Sequence, residues 1–176
     1  MKISSLKKIL TPPKFPKEAS QGASWPMIDD SISFPSDYID FIETYGSGHT
    51  AEFITIFNVF SKNENINFFS QKKTILETLT SLIEYDENYY NYTLYPNENG
   101  LLPIGITDNG DYIFWVTTPK ASSDSWDIAV IASRSPDVEH IKGGIVLFLE
   151  SILSKKIKCS SFPTSFPTEP IKFISI

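Results

Sequence analysis

His49, His140 and Cys159 are the side chains of this 176-residue chain best suited to acid–base, nucleophilic or metal chemistry. His49 follows Gly46-Ser47-Gly48, a turn that would present it as a base or, more plainly, leave it as an exposed turn histidine. No H-x-x-x-H or C-x-x-C spacing occurs, so a zinc site lacks a ligand set. The strings G-x-G-x-x-G, G-x-x-x-x-G-K-[ST] and G-x-S-x-G are missing as well. Serines are plentiful, but nothing in the spacing sets one beside a histidine, so a triad has no support. A single cysteine excludes an intrachain disulfide and a thiolate cluster.

Carboxylates and tyrosines remain. Asp108 and Asp111 bracket a turn, and Asp124 and Asp127 bracket Trp126 at the entrance of a strand. Their types fit three roles. Asp bonds its own backbone in tight turns; an acidic rim would attract a basic protein; and four oxygen ligands at neighbouring loop ends would suit a divalent cation in a small hydrolase. The dense D-x-D-x-D-G order of a calcium loop is missing. Tyr85, Tyr89, Tyr90, Tyr92 and Tyr95 cluster with Asp86, Glu87 and Glu98. Rigid amphipathic rings beside carboxylates suit a protein interface, or a half-buried loop that packs its rings on a sheet.

The charge supports the interface. The chain carries 15 Lys+Arg against 21 Asp+Glu, a formal net charge of −6 and a pI near 4.9. Residues 1–20 hold five Lys and one Glu, residues 21–140 five cations and 18 carboxylates, and residues 141–176 five Lys and two Glu. Basic ends therefore bracket an acidic middle, which argues against a nucleic-acid binder. Apolar residues at 41% can fill one core, and the length suits one domain. The N-terminus lacks the unbroken apolar stretch of a secretory signal, and no apolar run approaches a membrane span. A cytoplasmic protein without membrane contact is expected.

These residues need positioning elements. Residues 1–24 start with a short helical stretch and continue as a proline-rich arm (Pro12, Pro13, Pro16). Phe34-Pro35-Ser36-Asp37 reads as a helix start with capping side chains, and Tyr38, Phe41, Ile42 and Tyr45 mark one face of a helix over 36–45. Gly46 stands where helices end in a left-handed residue. Glu52–Phe60 reads as a strand and 70–86 as a helix. Asp108-Asn109-Gly110-Asp111 between 101–107 and 112–118 predicts a hairpin, Asn-Gly supplying two positive φ values. Trp126–Ala132 adds a third adjacent strand and 143–154 a closing helix. Pro163, Pro167 and Pro170 punctuate a tail over 156–176, whose end at 171–176 is able to add an edge strand. The order predicts an α+β domain over 25–155, with helices against an antiparallel-rich sheet.

The run from Phe34 to Gly48 resembles a signature of the SUKH superfamily: leucine-proline, then Asp-Tyr, then Phe-Leu, then Tyr-Gly-x-Gly, with Phe34 in place of the leucine. Leu101-Leu102-Pro103-Ile104-Gly105, followed by Asp108-Asn109-Gly110-Asp111 and Phe114-Trp115, is similar to the hairpin of that group. Trp126 with Ile128–Ile131, and Gly144 to Leu153, resemble its next strand and final helix. The superfamily contains yeast cell-wall-synthesis regulators of the Smi/Knr type and many bacterial immunity proteins.

The resemblance implies a non-enzymatic α+β domain, a curved sheet packed by helices, with no catalytic residues and no cofactor. It implies an immunity protein that binds and neutralises a cognate toxin; the toxins countered by such proteins are often nucleases, and the acidic middle would make this one basic. A regulatory adaptor of the Smi/Knr type is the alternative. The residues expected at the interface are Asp108, Asp111, Asp124, Asp127, Asp86, Glu87, Tyr89, Tyr90 and Tyr92, on a monomer or weak dimer without bound metal or nucleic acid.

Overall fold

Tyr112-Ile-Phe-Trp-Val116 is aromatic and β-branched throughout, and it forms a strand whose neighbours on both sides run antiparallel. The computed structural model describes residues 3–133 and 135–176. In chain order the elements are α1 (Ile3–Leu6), α2 (Ser36–Tyr45), β1 (Gly48–Thr50), β2 (Ile54–Ile56), α3 (Phe68–Tyr85), β3 (Leu101–Thr107), β4 (Tyr112–Val116), β5 (Asp127–Ile131), β6 (Val138–Ile141), α4 (Ile145–Leu153) and β7 (Phe173–Ser175). The seven strands form one open antiparallel sheet in the order β6-β5-β4-β3-β2-β1-β7. The chain is an α+β domain.

Strand alternation divides the core. Trp115 on one face meets Tyr38 of α2 edge-to-face, with ring centroids 5.2 Å apart, and Phe34, Phe68 and Trp126 complete an aromatic cluster around it. α4 lies against α1, α2 and β5. Tyr112, on the opposite face, shares a cavity with Leu79 and Leu82 of α3, so the second half of α3 covers that side.

The arm and the tail enter this core. Leu6 and Leu10 are fully buried, and the Tyr45 hydroxyl donates to the Leu10 carbonyl at 2.6 Å. Lys17 bridges Gly46, and the Ser47 amide donates to the Lys17 carbonyl at 2.8 Å. β7 pairs with β1. These two contacts explain Tyr45-Gly46-Ser47-Gly48. A Cβ on Gly46 would lie 2.0 Å from the Lys17 carbonyl oxygen, and one on Gly48 would lie 2.4 Å from the Phe173 ring.

Four local expectations change. The strand expected over Glu52–Phe60 shortens to β2, because Ala51 and Glu52 take positive φ and turn the chain from β1 into β2, while at its other end the Asn58 backbone leaves the sheet to bridge Asn67 and its side chain binds the Glu18 carbonyl and the Phe60 amide. In the β3–β4 turn only Gly110 has a positive φ: its amide bonds the Thr107 carbonyl, and the Thr107 amide bonds the Asp111 carbonyl, giving a three-residue loop with a bulge. Gly46 has φ 68° and ψ −150°, outside the left-handed helical well and in a region essentially confined to glycine. β6 was not expected; Val-Glu-His-Ile is too short to announce itself, and its pairing with β5 creates it.

Candidate functional site

The four aspartates lie at opposite ends of β4 and β5. Tyr112 pairs with Ile131 beside Asp108 and Asp111, whereas Val116 pairs with Asp127 beside Asp124. A five-residue strand separates them by roughly 13 Å. The shared cation site considered from sequence therefore does not form. Among the described residues, no group of three or more His, Cys, Asp or Glu could hold a metal ion.

Three of the four are occupied by backbone. Asp111 is buried, accepts from the Thr107 hydroxyl at 2.7 Å and from the Ser133 amide at 3.1 Å, and so pins the hairpin to the end of β5. Asp127 accepts from the Gly143 amide at 2.6 Å and fixes the turn between β6 and α4. Asp124 accepts from the Ser36 amide at 2.6 Å, at the first turn of α2. That helix has Pro35 at its N-cap, which offers no side-chain acceptor, so a carboxylate 88 residues away supplies the cap. Asp37, expected to cap α2, instead accepts from the Val146 amide at 3.1 Å and caps α4. Burial raises the Asp37 pKa, opposed by its bond from Val146. Asp108 alone of the four is exposed and accepts from no described backbone amide; its carboxylate lies 3.8 Å from Nδ1 of His49. His49 itself lies in β1 rather than in a turn, and its Nδ1 is 3.1 Å from the Thr55 hydroxyl.

The tyrosine segment is built differently. Asn67 caps α3, accepting from the amides of Phe69 and Ser70, which starts the helix two residues earlier than its apolar pattern predicts. The helix ends at Tyr85, and the Asp86 carboxylate then accepts from the Tyr89 amide at 3.1 Å, turning the chain back. Tyr85 is 88% exposed and Tyr89 50%. Tyr90 and Tyr92 are half-buried, and Tyr89, Tyr90 and Tyr92 meet in successive edge-to-face pairs. Burial, then the neighbouring Tyr90, pushes the Tyr92 hydroxyl up to about 12. Tyr95 leaves this surface: it is buried and donates to the Asp29 carboxylate.

The electrostatics of the α3 end are unbalanced. Glu84, Asp86 and Glu87 are exposed at the negative pole of an 18-residue helix that has no basic residue in its last turn. Like charge at that pole is unfavourable, and a cation from outside would relieve it. Sequence reasoning identified Asp86 and Glu87 by composition, but not Glu84. It missed Glu18, whose carboxylate accepts from the Ser47 hydroxyl at 2.6 Å and the Lys62 amide at 2.9 Å. Burial alone would raise the Glu18 pKa, but the bonds from Ser47, Lys62 and Ser61 hold it below the ordinary range. No local pattern around residue 18 announces that role.

No helix among the described residues is long and apolar enough to cross a membrane. No curated protein and no solved structure matches the chain significantly. The family model SUKH_6, described as SMI1-KNR4 cell-wall, matches residues 31–149. That span runs from the loop before α2 into α4 and contains the capping aspartates, the hairpin and the tyrosine segment. The chain belongs to the SUKH superfamily, within its SMI1-KNR4 family.

Proposed function

We propose that this protein is a non-enzymatic immunity protein that binds and neutralises a basic toxin domain in the cytoplasm. The observation that carries the proposal is the end of α3, where exposed Tyr85 and Tyr89 stand beside Asp86 and Glu87 at a helix pole lacking compensating cations. Tyrosine rings supply rigid contact area, and the carboxylates steer a basic partner toward them. Tyr90 and Tyr92 support the wall from behind, and Asp108 adds to the attraction from the far end of the hairpin. Asp111, Asp124 and Asp127 contribute through the scaffold they hold in place.

Co-expression with the product of the adjacent reading frame tests the proposal. Cells survive and the two proteins co-elute on a sizing column if it holds. Continued killing with no complex would refute it. The cell-wall description of the family favours a second reading, a Smi/Knr-type adaptor, and a genomic neighbourhood without a toxin gene would point there.

A further inference from the structure

β6 is a terminal strand of the sheet, and among the described residues its outer edge has no backbone partner. Alternate residues of a strand aim their N–H and C=O groups to opposite sides, so about half of those on β6 face outward. Beside this edge runs an open groove of about 620 Å³. Val116 and Val138 line it, Tyr89 and Tyr92 wall one side, and Asp137 and His140 stand on the other. Among the described residues, none that lines it is Lys or Arg.

The register makes edge and groove one feature. Val138 lies opposite Ile131 and His140 opposite Ala129, on the sheet face that also carries Tyr112 and Val116. Glu139 alternates to the other face, where the Ser160 amide donates to it at 2.8 Å. A strand added to β6 would therefore project every second side chain over the groove. Ring faces and one exposed carboxylate suit a long basic side chain there, its stem against the valines and its charge between tyrosine and Asp137. Asp86 and Glu87 are exposed on the same tyrosine-bearing segment.

We propose that β6 and this groove receive an extended segment of the partner protein, which adds to the sheet as a further strand and seats Lys or Arg side chains spaced two residues apart. The basic character of that segment rests on the immunity proposal; the edge and the groove do not.

The probe is a capped octapeptide of alternating Lys and Thr, with its Glu-Thr counterpart as control, studied by amide exchange and titration at low salt. The Lys-Thr peptide should bind and slow exchange at the outward amides of Val138–Ile141 by about tenfold or more. Asp137→Asn with Glu87→Gln should weaken it by about three- to tenfold while the fold is retained. Binding that leaves the β6 amides unprotected, equal binding of the Glu-Thr peptide, or no binding would each overturn the inference. The product of the adjacent reading frame separates the two proposals. Neutralisation without β6 protection refutes the added strand alone, whereas β6 protection by the Lys-Thr peptide without any neutralisation refutes the immunity reading alone.

Discussion

Gly46→Ala tests whether the N-terminal arm is part of the fold or merely lies on it. Gly46 has φ 68° and ψ −150°, where a residue with a Cβ is strained by about 1–3 kcal/mol. The added Cβ would also lie 2.0 Å from the Lys17 carbonyl oxygen, so arm backbone must retreat. Retreat breaks the 2.8 Å bond from the Ser47 amide, worth about 1 kcal/mol. It also pulls Glu18 away from the Ser47 hydroxyl and the Lys62 amide, charged bonds worth together about 2–3 kcal/mol in this half-exposed setting. The total is about 4–7 kcal/mol, a large part of the roughly 5–15 kcal/mol that stabilises a domain. Urea unfolding followed by tryptophan fluorescence and far-ultraviolet circular dichroism measures it. The mechanism has a stricter consequence: Glu18→Ala and Gly46→Ala disrupt the same contact, so their effects should fall short of additivity by about 2 kcal/mol. Additivity within about 0.5 kcal/mol would show that the arm does not respond to Gly46, and the explanation of the glycine would fail.

Asp124→Ala and Asp37→Ala each remove a helix cap supplied from elsewhere in the chain, and each should cost about 1 kcal/mol in the same urea assay. Glu18 and Asp37 should give pH dependences of opposite sign. Glu18 has a lowered folded pKa, so it stabilises above the ordinary glutamate range and that contribution is lost as pH falls; Glu18→Gln should flatten this acid limb. Asp37 has a raised folded pKa, so stability falls as pH rises from the ordinary aspartate range through the folded value, and Asp37→Asn should remove that slope. On a basic partner, Asp108→Lys should slow association several-fold at low salt with little change in stability, measured by stopped flow, because its carboxylate holds no backbone amide. Tyr89→Ala should instead speed dissociation, read by surface capture.

The helices and the hairpin were legible because their signals are local. Tyr38, Phe41, Ile42 and Tyr45 all turn inward and are buried, and Asp108-Asn109-Gly110-Asp111 does connect two strands. The assignments that changed depend on distant partners. Nothing near residue 124 reveals that its carboxylate serves the amide of Ser36, and nothing near residue 37 reveals Val146, 109 residues away. β6 was hidden for the same reason, since a four-residue strand is specified by the neighbour it pairs with. The tyrosine segment was visible only as composition. Its division into exposed Tyr85 and Tyr89, half-buried Tyr90 and Tyr92, and buried Tyr95 follows from the turn that Asp86 makes with the Tyr89 amide.

The acidic middle therefore has two populations that net charge cannot distinguish. Asp37, Asp111, Asp124 and Asp127 accept from backbone amides, join elements that are far apart in sequence, and are committed to the fold. Glu84, Glu87 and Asp108 accept from no described backbone amide and face solvent. A partner feels the second population most, because a carboxylate already donated to by an amide is partly neutralised and fixed in direction. Removing Asp111, Asp124 or Asp127 should lower stability, whereas neutralising the second population should reduce the salt dependence of association and leave stability nearly unchanged. Two carboxylates of equal formal charge, Asp108 and Asp124, would then give opposite phenotypes when changed to Asn and Ala respectively: one in the rate of encounter, the other in the melting of α2.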